Sequence, residues 1–351
     1  MRLGIVGNCQ VLGLSDAIGA LAPAVERVTV CTNEMEDPVQ QAAHADALAG
    51  CDLVLGHNLP LPSFGPLQDA ALHPRLRRFM LVPPLVFTGN QPDCIYLFDA
   101  AGKVIPSPAT AYHSAIAAAG FLEGFSLRRT LALFNAHTYA QLGYFDAFAQ
   151  DAAANARIWA ALGLDFPALL SEAGPVLMHT VNHPRIRALA VLARQLLRRA
   201  GVPFTEAADP RDLLAQGIRW PVYAEIARRQ GLPEEEPVLH IHGEAVPLAA
   251  MVERCFAAYA GMAFGPQAPM LTRARAFIRA EVLRQPDAAL PPPLTVDDVQ
   301  MGYRLILGRT CESEEMARSY IEHCATLEDL RRALLRSEEF ARNYAALQSA
   351  N

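Results

Sequence analysis

The chain has 351 residues, 52% hydrophobic and 19% charged, with a formal net charge of −6 at pH 7. That composition describes a well-packed globular protein and excludes a disordered one; with no long run of Lys and Arg it also excludes a general binder of nucleic acid or of anionic membrane. No apolar stretch approaches the roughly 20 residues of a membrane span, and the strongest, FMLVPPLVF at 79–87, is broken by prolines. The length predicts one domain of roughly 200 to 250 residues and a smaller unit. The seven cysteines contain no C-x-x-C pair and the first residues lack a signal-peptide pattern, so a reducing, cytoplasmic setting is expected, with no zinc site.

In chain order, RLGIVG (2–7) reads as a strand, VLGLSDAIGAL (11–21) as a helix, ERVTVCT (26–32) as a strand and DPVQQAAHADALAG (37–50) as a helix. CDLVLG (51–56) and RRFMLVPPLVF (77–87) follow as further strands. Short apolar runs alternating with amphipathic helices predict an α/β fold with an open parallel sheet of flavodoxin-like type. Ligands in such sheets bind beyond the carboxyl ends of the strands, where the winding reverses. The turns that matter are therefore Gly7-Asn8-Cys9-Gln10, Gly56-His57-Asn58 and Val82-Pro83-Pro84. Residues 110–235 are dominated by helical patterns, at 114–125, 126–145, 146–163 and 183–201, and are expected to form covering layers and a cap. GLPEEEPVLHIHGEAVP (231–247) and RQPDAALPPPLTVDD (284–298) read as breaks. The expected organisation is an α/β domain at 1–245, a helical connection and linker at 246–293, and a small all-α module at 294–351.

Several residue sets have the types and positions that chemistry needs. A thiol at Cys9, between a strand and a helix start, is expected to have a lowered pKa from the helix's positive end; a small residue packed in a tight turn is the alternative. Gly7 fits a backbone conformation only glycine tolerates. Asn58 beside that turn has an amide suited to a developing oxyanion, or is simply a turn former. His179 and His183 have the spacing of two metal ligands on one helical face, but Pro184 suits a first helical position and Asn182 or His183 a cap, so His179 belongs to a preceding extended segment. His183 at a helix start would be a neutral imidazole and a general base. His240 and His242 would share one side of a strand, with no third ligand for a metal. Tyr112, His113 and Ser114 stand at a helix start, where they bind a polar ligand or form a solvated cap. Of the arginines at 75, 77, 78, 185, 187, 194, 198 and 199, only Arg185 and Arg187 share a first turn with His183; the rest read as solvated faces.

Taken in order, VGNCQ, LPPLVFTGNQPD, the YHSAIAAAGFLEGFS…LFNAHTYAQLGYF run and HTVNHPR resemble the WcbI-type family of capsular-polysaccharide biosynthesis proteins over roughly residues 1–240. The resemblance implies coenzyme A or acetyl-CoA as acyl donor. It implies an active site including Cys9, Gln10 and His183 with His113 nearby, and a donor site drawn from Gly7, Asn8, Gln10, His57, Arg185 and Arg187. Tyr112, His113, Ser114 and Asn182 would then face the acceptor. A more distant likeness is to SGNH esterases and acetyltransferases: Gly56-His57-Asn58 matches their oxyanion turn, but their nucleophilic Ser is Cys9 here, and the Asp three residues before their His is Thr180. The segment 297–340 resembles a small helical module attached to bacterial glycan-related proteins, through Tyr303, Arg304, Leu307, Gly308, Arg309, Ser337, Glu338 and Phe340; its usual Pro-Asp and Gly after the Arg are not kept.

The expected activity is transfer of an acyl group, most simply acetyl, from coenzyme A to a hydroxyl of a sugar, nucleotide sugar or glycan. Two routes are open: a ping-pong scheme through an acyl-Cys9, or direct attack by a hydroxyl that His183 deprotonates, with the Cys9 turn and Asn58 on the oxyanion. An ester or thioester hydrolase and a non-enzymatic glycan-assembly factor are the alternatives, and the terminal module is a candidate contact for a protein partner.

Overall fold

The structure, a computed structural model, describes residues 1–33, 35, 37–265, 267–282, 293–324 and 326–349. Most of the expected boundary region 286–294, and most of the second linker, falls within 283–292, outside the described residues. Two compact units form. One comprises Met1–Leu97, Val104–His113 and Tyr139–Leu248, the other Phe98–Lys103, Ser114–Thr138 and Ala249–Asn351. Residues 98–103 and 114–138 thus group with the C-terminal part of the chain and not with the sheet.

The first unit is built on β1 (Arg2–Gly7), α1 (Gln10–Leu21), β2 (Glu26–Cys31), α2 (Pro38–Ala49), β3 (Leu53–Gly56) and β4 (Phe79–Leu81). The four strands form a parallel sheet in the order β2-β1-β3-β4. The mixed α/β fold with an open parallel sheet is the one the alternating apolar runs predict. Because β1 is flanked by β2 on one side and β3 on the other, the winding reverses between the carboxyl ends of β1 and β3, which places the Gly7 and Gly56 turns side by side.

Period-two alternation divides each central strand between two cores. Leu3, Ile5, Leu53 and Leu55 face a large cluster with Leu14 and Ile18 of α1, Trp159, Phe166 and Leu192. Val6 and Val54 face a smaller cluster with Val30, Ala45 and Leu48. A helix at Ile186–Ala200 lies close against α1, since a Cβ on Gly13 would fall 2.7 Å from Leu189 Cδ1. The fourth strand is shorter than the apolar run 77–87 suggests. Its last ladder bond is Val82 N–H to the Gly56 carbonyl at 2.8 Å, and Pro83 and Pro84 have no N–H with which to continue.

The acid-rich break at 231–247 is also more ordered than its composition suggests: Val238–Ile241 pairs antiparallel with Glu244–Pro247 and with Ile218–Arg219. In the second unit, helices at Val296–Gly302, Glu314–His323 and Leu327–Leu335 surround Val299, Tyr303, Leu307 and Leu334. The residues that carry the module's likeness have structural tasks there. Gly308 turns the chain at φ 75°, Arg309 pairs with Glu339 and Glu312 over the Tyr303 ring, and the Ser337 hydroxyl accepts from the Phe340 N–H at 3.1 Å.

Candidate active site at the switch point of the sheet

The turn after β1 is shaped by the turn after β3. A Cβ on Gly7 would lie 2.5 Å from His57 Nδ1, so glycine is needed for the close approach of the imidazole. The Asn8 N–H donates to His57 Nδ1 at 3.3 Å, which assigns the proton of the neutral ring to Nε2. Burial pulls the His57 pKa down to about 4, so the ring stays neutral and an acceptor. Asn58, one residue on, is exposed and has no hydrogen-bond partner among the described residues.

Cys9 is the residue before the first turn of α1, with no side-chain capping bond; the Asn8 Oδ1 accepts instead from the Gln10 N–H at 3.0 Å. The expected lowering of the Cys9 pKa is not what the structure gives. Burial pushes the thiol up, and Cys31 at the end of β2 adds to that. Hydrogen bonds from the Cys9 and Gln10 N–H groups and from the Asn33 side chain pull the other way but do not prevail. Desolvation penalises a thiolate in this half-buried turn more than one helix end favours it.

Gln10 is 2% exposed. Its Oε1 accepts from the Leu85 N–H at 2.9 Å, and its Nε2 donates to the Leu85 and Asn182 carbonyls, each at 2.9 Å. Both amide hydrogens are thereby spent on protein, so the Gln10 side chain clamps two distant segments to the first turn of α1. The clamp brings the extended segment after β4 and the residue before His183 to the first turn.

Around Asn182 a polar network closes. The Tyr112 hydroxyl donates to Asn182 Oδ1 at 2.6 Å, and Asn182 Nδ2 donates to the Tyr96 hydroxyl at 2.9 Å. The Tyr112 ring meets the His183 imidazole edge-on, with centroids 5.5 Å apart. Burial raises the Tyr96 phenol, and nearby Cys9 contributes to the rise, so the thiol and this network share one neighbourhood. Burial, with His179 adding to it, lowers the His183 pKa to about 4. His183 Nδ1 is buried without a hydrogen-bond partner. A neutral imidazole is thus held beside a thiol turn at the switch point.

Local structure departs from the sequence expectation around His183. The residue lies in a two-residue strand, His183–Pro184, paired with Met178–Thr180, and the helix starts at Ile186 with Arg185 before it. Neither Asn182 nor His183 caps it, and Pro184 is not its first residue. The neutral form of His183 follows from burial and not from a helix end. Among the described residues no acid is hydrogen-bonded to His183; Asp212 instead bonds His179 Nε2 at 2.9 Å and accepts from the Ile186 N–H at 3.1 Å. A His-Asp pair therefore exists, on the other histidine.

The remaining candidates separate. His113 is fully buried, its Nε2 at 3.0 Å from the Ile105 carbonyl, and burial lowers its pKa to about 4. Ser114 falls in the second unit, where its hydroxyl caps Ala115–Leu122 by accepting from the Ala117 N–H at 3.0 Å. Neither forms a solvated cap, since both are 3% exposed or less. Arg185 lines a cavity with Arg219 and His240, and Arg187 is exposed. His242 leaves the strand at φ 49°, so it does not share a strand side with His240. Arg75 and Arg77 are tied to Asp46 and Asp52. Among the described residues no three His, Cys, Asp or Glu groups converge as metal ligands, and no helix is long and apolar enough to cross a membrane. Sequence reasoning missed Tyr96 and Asp212. YLF and DPRD offer no periodic or motif signal, and only the fold brings them to Asn182 and His179.

Fold and site define an α/β protein with its candidate chemistry at the carboxyl end of a parallel sheet, between β1 and β3. The family model described as "Polysaccharide biosynthesis enzyme WcbI" matches residues 2–205. The chain belongs to the WcbI family of polysaccharide biosynthesis enzymes. A solved structure of WcbI, described as a novel polysaccharide biosynthesis enzyme in a native form without a disulfide bond between coenzyme A and one of its cysteines, has a similar fold. Its TM-score is 0.58 at 13% identity, covering 80% of this chain and 96% of that one. A comparison with curated proteins gives no match.

Proposed function

We propose that this chain transfers an acyl group from coenzyme A to a sugar hydroxyl in bacterial capsular or exopolysaccharide synthesis, by direct attack and without an acyl-enzyme. The observation that carries the reading is His183: a neutral imidazole with an unpartnered Nδ1, brought to the Cys9 turn by the Gln10 clamp. A cysteine meeting coenzyme A is named for the solved WcbI structure, and Cys9 is the cysteine of this chain at the switch point, which supports placing the thioester end of the donor there.

In this reading His183 takes the proton of the sugar hydroxyl as its oxygen attacks the thioester carbonyl. The amide of Asn58, free of protein partners, donates to the developing oxyanion. The carbon–sulfur bond then breaks, and the coenzyme A thiolate takes the proton back from the imidazolium. A thiol pushed upward by burial is a poor nucleophile at neutral pH, which favours this route over acyl-Cys9. A coenzyme A donor fits a cytoplasmic enzyme. The terminal helical module is assigned a contact role towards a protein partner and no chemistry. The test is intact-mass analysis after mixing with acetyl-CoA, alongside assays of Cys9→Ala and His183→Gln. No acetyl adduct is expected, with Cys9→Ala retaining activity and His183→Gln losing it at least a hundredfold. An acetyl adduct that vanishes in Cys9→Ala refutes direct transfer.

A further inference from the structure

A second concave site lies in the sheet unit, about 340 Å³ in volume, at the lower end of the range of small-molecule pockets. Arg185, Arg219, His240, Trp220 and Gln91 line it, with Glu235 and Glu236 also on its wall. Arg219 and His240 are register partners across an antiparallel pair, so their Cβ atoms are about 5 Å apart. Arg185 is close enough to Arg219 for the second charge to help disfavour the first. Desolvation is the larger cause, with Asp212 and Glu235 opposing. Neither guanidinium has a hydrogen bond or ion pair to a carboxylate among the described residues, whereas Arg75 and Arg194 of the same unit do. Two guanidiniums gathered on one wall without a bound carboxylate are the arrangement that a carboxylate or phosphate of a ligand completes. Gln91, 2% exposed, leaves its Oε1 buried with no donor on the same lining, an acceptor suited to a hydroxyl-rich partner.

The cavity is coupled by backbone to the base. The Trp220 N–H donates to the His179 carbonyl at 2.7 Å, and the Arg185 N–H to the Leu177 carbonyl at 2.8 Å, so one hairpin carries both His183 and the cavity wall. Arg185 follows His183 by two residues in extended backbone, a Cα separation of about 7 Å, comparable to the span of one sugar ring and its substituents.

We infer that this cavity binds the anionic substituent of the acceptor, so that the enzyme prefers acidic sugars, those bearing a carboxylate or a phosphate. The inference rests on the acceptor being a sugar, as proposed above. The test uses the full chain and direct binding followed by ligand-observed NMR, with glucuronate, glucose 1-phosphate and glucose as probes. Both anionic probes are expected to bind at least tenfold more tightly than glucose. Arg219→Gln removes that preference while leaving coenzyme A affinity within twofold. Equal binding of glucose and glucuronate overturns the inference. So does a loss of coenzyme A affinity in Arg219→Gln with anionic sugars unaffected, which would give the cavity to the donor's phosphates. Because binding is read without turnover, Arg219-dependent sugar binding with no acyl transfer upholds the cavity's assignment and counts against the acyltransferase reading alone.

Discussion

Three imidazoles, buried at His57 and His113 and half-buried at His183, each have a pKa lowered to about 4 in the folded chain, against about 6.5 when unfolded. Between those two values the unfolded chain takes up protons that the folded chain refuses, so stability rises with pH across the interval. It is complete above about pH 6.5 and is lost as the pH falls towards 4. At pH 5 the loss is about 2 kcal/mol per imidazole and about 6 kcal/mol for the three, an appreciable share of the ~5–15 kcal/mol that holds an ordinary protein folded. Asp212 is also held below the usual carboxylate range: burial raises it, but the bonds from His179 and Ile186 prevail. Its effect therefore falls in a more acid window. All three imidazoles and both tryptophans, Trp159 and Trp220, lie in the sheet unit, so tryptophan fluorescence during urea unfolding reports the relevant transition. The midpoint should fall steeply between pH 7 and pH 5. In His57→Asn, whose amide oxygen can replace Nδ1 as acceptor for the Asn8 N–H, the fall should shrink by about a third. A midpoint unchanged between pH 7 and pH 5 would refute the reasoning, since no buried neutral imidazole can leave the balance flat there.

Two further outcomes are expected. Gln10→Leu leaves the Leu85 N–H and two carbonyls without partners, and should cost about 3 kcal/mol in denaturant unfolding together with most of the acyl transfer. Iodoacetamide at Cys9, followed by peptide mass mapping, should react ever faster up to at least pH 9 with no plateau near neutrality. Only half-buried Cys31 should compete, because Cys51, Cys94, Cys255, Cys311 and Cys324 are buried.

The sheet was legible because parallel strands are buried on both faces and read as short apolar runs, and its switch point followed from strand order alone. The nearness of Cys9 and the His57 turn came from that topology. What composition hid was set by contacts distant in sequence. The Gln10 amide looks like a ligand contact in a motif, yet its partners are 75 and 172 residues away. Position at a helix start suggested an acidic thiol at Cys9, but burial reversed the sign, and burial of one residue cannot be read from its neighbours. Pro184 resembled a helix opener because proline suits that place, whereas here it ends a two-residue strand. The acid run at 234–236 masked the hairpin after it, whose His240 joins Arg219 only through register.

The bond between Gln10 and the Asn182 carbonyl has a temporal consequence. It spans 172 residues of chain, so a nascent polypeptide can form β1, α1 and the Cys9 turn long before the imidazole at 183 has been synthesised. Contacts of such separation form late, after their loop has been closed. Until then the thiol turn stands without the imidazole at 183, and the candidate site is completed only once nearly the whole sheet unit has emerged and folded.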